Sequence, residues 1–312
     1  MRLLALAVLC VSTSVAHAQY NPQAGKNAPA APAAGAPARD GDRSVGRVTA
    51  LSQRQQPARI ARDDYGNAKG SQYDLAVDGA FKGQTILVID YYGGQYGIGF
   101  SPPRDAVKSK GFSVVHYNKE PSVKQLQKDL ARANQFWVIS SCDNTVHLST
   151  AHQQAIQQFF EQGHGVYLWG DNDPCNADAD ALAKLLVDAS VRGDLPGDRT
   201  VQISSGAGKP GIVQDHLLST GVENVYEGIT VATVTPTQAM TPVIYGSAGN
   251  LVAAAYEKDG KRLIVDGGFT RLSYKWDTAG TGRYLKNAAA WLANFERFGD
   301  KSRRFARAVT RR

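Results

Sequence analysis

Between residues 84 and 189, short apolar runs alternate with amphipathic segments of helical period. The apolar runs are QTILVID (84–90), FSVVHY (112–117), FWVIS (136–140) and GVYLWG (165–170). Runs of this length predict buried strands, and the segments between them place apolar residues three and four positions apart, as amphipathic helices do. Strands and helices that alternate in this way predict a parallel sheet with helices on both faces.

Local signals place the helices between these strands. Capping signals predict three helix starts, at Ser101 followed by Pro102, at Ser122 paired with Gln125, and at Thr150 paired with Gln153. The segment 91–99, YYGGQYGIG, is predicted to be a turn, and 111 and 163 are glycines at which helices are predicted to end. A further helix is predicted over 177–189, with Ala181, Leu182, Leu185 and Leu186 facing the core.

The second half of the chain is rich in strand signals from about 200 to 266, including VIYG, LVAAAYE and RLIVDGG, and a last helix is predicted over 282–296. Strands joined by short turns predict an antiparallel extension. The fold class is therefore a three-layer α/β domain with a mostly parallel, flavodoxin-like sheet and an antiparallel extension at one edge.

The two ends of the chain predict segments outside this domain. Residues 1–18 form an apolar run that ends in Ala16-His17-Ala18, the pattern of a cleaved signal peptide. Residues 19–75 are rich in Ala, Pro and Gly and predict a disordered linker, residues 80–296 hold the α/β domain, and residues 297–312 form a basic tail. The sequence thus predicts export to the periplasm or the extracellular space, with no transmembrane segment.

The positive charge is concentrated in that tail. Residues 297–312 contain seven Lys or Arg residues and one Asp, whereas the rest of the mature chain is close to neutral. A nucleic-acid-binding domain needs basic residues across a folded face, so nucleic acid is not an expected partner. The tail is interpreted as a solvated end, and contact with an anionic envelope surface is the alternative.

Residues 84–295 resemble the class I glutamine amidotransferase-like superfamily, and within it the ThuA-like, divergent non-catalytic branch. The resemblance is carried by ILVIDYYGGQYG, by STAHQQAIQQFFEQGHGVYLWGDND, and by GKRLIVDGGFTR before RYLKNAAAWL. Active members of that superfamily carry a nucleophilic Cys on the turn after the strand that matches GVYLWG and a His after the last strand. Here the turn is Gly170-Asp171-Asn172, and no His follows His216. The resemblance therefore implies the fold without glutaminase or protease chemistry.

Polar and aromatic residues follow four of the predicted strands. In open α/β sheets, ligands bind beyond the carboxyl ends of the strands. The candidate ligand-binding residues there are Asp90, Tyr91, Tyr92, Gln95, Tyr96, Asp143, Asn144, Asp171, Asn172, Asp173, Asp266 and Arg271. Each of these aspartates has the alternative role of shaping a turn or capping a helix.

Two functions remain open for the strand ends, beside a structural role in which the linker and the basic tail tether the protein to the envelope. The first is a non-catalytic domain without a cofactor, which binds a small polar or carbohydrate ligand, or a partner protein, at the strand ends. The alternative is a hydrolase in which Asp90, Asp143, Asp171 and Asp173 hold a divalent cation such as Ca²⁺ or Mg²⁺. Cys142 and Cys175 follow strands that we expect to be neighbours, so the sequence predicts a disulfide between them.

Overall fold

A computed structural model describes residues 60–203, 211–276 and 279–298. The predicted signal peptide, most of the predicted linker, and the basic tail from residue 299 lie outside the described residues. None of the helices in the described ranges combines the length and the apolar character needed to cross a membrane.

An eight-stranded sheet forms the centre of the described structure, and two short ribbons accompany it. The strands are β1 (Thr85–Asp90), β2 (Ser113–Tyr117), β3 (Gln135–Ile139), β4 (Gly165–Trp169), β5 (Ser190–Pro196), β6 (Thr200–Gln202), β7 (Gly211–Ile212), β8 (Asn224–Tyr226), β9 (Thr230–Thr235), β10 (Met240–Tyr245), β11 (Leu251–Lys258) and β12 (Lys261–Asp266). The helices are α1 (Tyr91–Tyr96), α2 (Ser101–Ser109), α3 (Val123–Leu130), α4 (Thr150–Glu161), α5 (Ala177–Val187), α6 (Thr270–Ser273) and α7 (Thr281–Leu292).

The strand order of the large sheet is β2-β1-β3-β4-β12-β11-β10-β7. The first five strands are parallel, and β11, β10 and β7 extend them in antiparallel pairs. The predicted α/β fold, with its antiparallel extension at one edge, is confirmed. The ribbons β5–β9 and β6–β8 belong to the strand-rich second half of the chain.

Side chains of the central strands alternate between two core layers. On β1, Ile86 and Val88 pack in the layer that includes residues of α2 and α7. Leu87 and Ile89 point to the opposite face and pack in the layer that includes residues of α3, α4 and α5. Since successive side chains of a strand point to opposite faces, one unbroken apolar run supplies both layers.

Four local predictions are wrong. The segment predicted to be a turn at 91–99 begins with helix α1, because the Asp90 side chain caps it by accepting the Gly93 N–H at 2.7 Å. The caps of α2 and α4 are Phe100 and Ser149, each one residue before the predicted Ser101 and Thr150. On α5, Leu182 is buried as predicted, but Leu185 faces solvent with 39% of its surface exposed.

Residues 60–75, which the sequence assigns to the end of the linker, pack against the domain. The buried carboxylate of Asp74 forms ion pairs with Lys110 at 2.9 Å, Arg283 at 2.7 Å and Lys286 at 2.6 Å. Asn67 is also buried. Its side-chain oxygen accepts two backbone N–H groups, one from the residue just before β8 and one from the first residue of β8. These polar contacts, which the apolar periodicity does not reveal, hold the segment in place.

Candidate functional site

The sheet topology places the ends of four adjacent strands at one edge. Strands β1, β3, β4 and β12 are neighbours and parallel, so their carboxyl ends meet there. We call the loops that follow these four strands the strand-end rim. All twelve candidate ligand-binding residues lie at the ends of these strands or in the segments that follow them, but the structure divides them into buried and accessible groups.

A disulfide joins Cys142, after β3, to Cys175, after β4. The predicted pairing is confirmed. It connects two loops that carry accessible candidate residues, and 33 positions separate the two cysteines in the sequence. The disulfide therefore fixes the loop after β3 to the loop after β4.

Asp171, on the turn after β4, is completely buried. Its carboxyl oxygens accept the backbone N–H of Asn172 at 2.9 Å and of Thr270 at 3.2 Å. Burial raises the pKa of Asp171 to about 8, against the lowering effect of those hydrogen bonds. The side chain at the position of the resembled family's nucleophile thus faces the interior.

Asp266 and Arg271 form a second buried group below the rim. The Arg271 guanidinium donates to the Asp266 carboxylate at 2.5 Å, and both side chains are completely inaccessible to solvent. The hydroxyl groups of Tyr167 and Tyr284 donate to the other Asp266 oxygen at 3.2 and 3.4 Å. Burial raises the pKa of Asp266, and the charge of Arg271 opposes that rise. Neither side chain of the pair reaches the surface at which a ligand would arrive.

The candidates after β1 contact the loop after β3 and the segment after β12. Gln95 accepts the backbone N–H of Cys142 at 2.9 Å. Tyr92 is buried, and its hydroxyl donates to the Tyr274 hydroxyl at 2.8 Å. Tyr96 is accessible, with 52% of its surface exposed, and its ring packs on that of Tyr92 with centroids 4.7 Å apart.

Besides Gln95, the accessible polar candidates are Asp143, Asn144, Asn172 and Asp173. Asp173 accepts the Asn176 side-chain amide at 2.6 Å and the backbone N–H of Gly193 at 3.1 Å. Asn172 accepts the Thr230 hydroxyl at 2.6 Å. Asn144 has a positive φ of 57°, and within the described ranges its side chain makes no hydrogen bond.

A cleft of about 570 Å³ opens at the rim between these loops and α5. We call it the strand-end cleft; its walls include Asn144, Val146, Asp173, Pro174, Lys184 and Arg192. Small-molecule sites commonly have volumes of roughly 300–1,000 Å³, so the cleft has a suitable size. Another cleft, of about 530 Å³, has residues of α2 and α7 among its walls and contains none of the candidate residues.

Sequence reasoning missed an arrangement of two carboxylates around His147. Its Nδ1 lies 3.1 Å from the buried Asp178 carboxylate, its Nε2 lies 3.2 Å from Asp143, and its ring stacks on Tyr91. Burial lowers the pKa of His147, but the hydrogen bond and charge of Asp178 outweigh burial, so the pKa is raised. No local pattern indicated the contact between His147 and Asp178, since Asp178 lies 31 positions away on α5.

The four aspartates of the metal alternative do not converge. Over residues 60–203, 211–276 and 279–298, no group of three or more His, Cys, Asp or Glu side chains is arranged to hold a metal ion. Asp90 caps α1, Asp171 is buried, and Asp173 is occupied by internal donors. The described geometry therefore gives no support to a shared divalent-cation site.

Comparison with known proteins finds similarity in structure. The chain matches no family model and no curated protein. Its fold is similar to that of the mmIFT52 N-terminal domain, with a TM-score of 0.50 and 11% identity, over 67% of this chain and 97% of that domain. A putative ThuA-like protein from Bacteroides uniformis gives a TM-score of 0.47 and 14% identity, over 70% of this chain and 94% of that protein.

Another putative ThuA-like protein, from Parabacteroides merdae, gives a TM-score of 0.45 and 11% identity, over 68% of this chain and 90% of that protein. Solved structures similar to this chain thus include proteins described as putative ThuA-like proteins. At these identities the likeness concerns the fold alone, and it carries no activity or ligand over to this chain.

Proposed function

We propose that this chain is an exported, non-catalytic binding domain with an amidotransferase-like fold, and that it holds a small polar or carbohydrate ligand in the strand-end cleft. The observation that carries the proposal is the cleft itself, since the candidate residues Asn144 and Asp173 line it. The disulfide fixes the loops that contain these residues. A partner protein is the alternative occupant.

The non-catalytic part of the proposal rests on Asp171. In the resembled superfamily the equivalent turn exposes a nucleophile, and a nucleophile has to be accessible and close to a base. Here the side chain is an aspartate, it is completely buried, and backbone N–H groups hold it. Binding without covalent chemistry is therefore the function that agrees best with this turn.

Isothermal titration calorimetry of the mature domain against a panel of neutral sugars, acidic sugars and amino acids tests the proposal. Asn144→Ala should weaken the binding of any hit, because the Asn144 amide is exposed and has no partner within the described ranges. Gln154→Ala, which removes an exposed amide from α4, is the matched control. A folded protein that binds nothing on the panel would contradict the small-ligand proposal.

Export is tested separately. Expression of the full chain, followed by amino-terminal sequencing of the secreted or periplasmic protein, should give a mature start at Gln19, the residue after Ala18. Retention of the uncleaved chain in the cytoplasm would contradict this part of the proposal.

A further inference from the structure

One wall of the strand-end cleft carries two cations that share a single carboxylate. Arg192 donates from Nε at 2.8 Å and from Nη2 at 2.5 Å to the same oxygen of Asp180, and Lys184 lies 3.2 Å from that oxygen. The Asp180 side chain is only 5% exposed, whereas those of Arg192 and Lys184 are 62% and 51% exposed. The charge that this wall presents to solvent is therefore positive.

The acceptors of the cleft are already occupied by internal donors. The other oxygen of Asp180 accepts the backbone N–H of Val191 at 3.1 Å. On the facing loop, one Asp173 oxygen accepts the Asn176 amide and the other accepts the Gly193 N–H. Each of these oxygens therefore uses part of its acceptor capacity within the protein.

The donors, by contrast, have unused capacity. Within the described ranges, Arg192 Nη1 makes no hydrogen bond, and Lys184 uses one of its three N–H groups on Asp180. Asn144 lines the same cleft, and its side-chain amide has no partner in the described part of the chain. Two cationic donors and one neutral amide therefore remain for a ligand.

We infer that the strand-end cleft selects a sugar acid, whose carboxylate binds Arg192 and Lys184 while its hydroxyl groups reach Asn144. This inference rests on the proposed function and specifies the ligand class for the same site. Charge-assisted hydrogen bonds from a guanidinium to a carboxylate are about twice as strong as neutral ones, so the cationic wall favours an anion over its neutral analogue. Val146, Pro174 and Ala181 supply apolar surface for the C–H face of a sugar ring.

Calorimetric titrations with matched pairs test this selection. The probes are D-glucuronate against D-glucose and D-galacturonate against D-galactose, because each pair shares a ring and differs only in a carboxylate against a hydroxymethyl group. The wild-type domain should bind the acidic member at least about tenfold more tightly, and added salt should weaken that preference.

Two variants locate the preference on the cationic wall. Arg192→Gln should weaken the binding of the acidic sugars by about tenfold and leave the neutral sugars unchanged, and Lys184→Gln should act in the same direction. Lys261→Gln is the control, because Lys261 pairs with Glu161 at the opposite end of β12. Thermal melts verify that each variant is folded. If Arg192→Gln is destabilised, the binding of acidic and neutral sugars is compared in Lys184→Gln instead.

The outcomes separate this inference from the proposed function. Equal binding of acidic and neutral sugars, or a preference for acidic sugars that survives both variants, overturns the inference. If Asn144→Ala still weakens the binding of these sugars, the proposed function stands and only the ligand class is wrong. A folded domain that binds none of the four sugars overturns the inference. If it also binds nothing on the wider panel of sugars and amino acids, the proposed function is overturned as well.

Discussion

The backbone N–H of Thr270 donates to the carboxyl group of Asp171 at 3.2 Å, although the two residues are 99 positions apart. This bond connects the turn after β4 to the segment after β12 and turns the Asp171 side chain towards the interior. The position at which the resembled superfamily exposes a nucleophile is thus part of the packing that supports the rim.

The burial of Asp171 predicts a specific pH dependence of stability. Its pKa is about 8 in the folded protein against an ordinary value of 3.8, so the folded state retains a proton that the unfolded state has released. The stabilisation is complete below about pH 4 and is lost as the pH rises to about 8, at roughly 1 kcal/mol per pH unit. Urea unfolding of wild type and Asp171→Asn between pH 5 and 8 should show a steeper loss of stability in wild type than in the variant. Parallel profiles would contradict it.

The buried pair of Asp266 and Arg271 predicts a large penalty when one partner is removed. Asp266→Asn leaves the Arg271 cation buried without its counter-ion and should cost about 3–5 kcal/mol of unfolding free energy. The double variant Asp266→Asn with Arg271→Met removes both charges and should cost less than the sum of the two single changes. Denaturant titrations of the wild type, the two single variants and the double variant measure the coupling free energy. Losses of unfolding free energy that simply add would refute the coupling.

The disulfide predicts a loss of stability on reduction. A loop of 33 residues between Cys142 and Cys175 corresponds to about 3–4 kcal/mol in the chain-entropy treatment. The double variant Cys142→Ser with Cys175→Ser should lose a similar free energy of unfolding and should weaken ligand binding at the cleft. Free-thiol titration of the denatured, oxidised wild type should find no reactive thiol, and two thiols would contradict the pairing.

His147 predicts a titration that depends on Asp178. Because its pKa is raised, its contribution to stability is present below pH 6.5 and is lost as the pH rises through the folded value. Asp178→Asn removes the principal hydrogen-bond and charge effect and should lower the pKa of His147, as measured by the NMR shift of its ring protons. Asp143→Asn should lower the pKa by less, and an unchanged pKa in both variants would disprove the arrangement.

The sequence predicted the fold because the strands are unbroken apolar runs with capping signals between them. It also predicted the Cys142–Cys175 bond, since parallel neighbouring strands bring their ends together. It did not predict which rim residues are buried, because Asp171 and Asp266 are enclosed by contacts distant in sequence. The cationic wall was missed for the same reason, since Arg192 meets Asp180 only because β5 turns back along α5.

The most direct test of the account is an NMR titration of the ¹⁵N-labelled domain with D-glucuronate and D-galacturonate, followed through its backbone amides. Ligand-induced shifts should concentrate on the loop containing Asn144, on the turn containing Asp173, and around Arg192. Shifts that cluster elsewhere on the molecule, or spectra that stay unchanged at saturating sugar, would contradict the assignment of the strand-end cleft as the binding site.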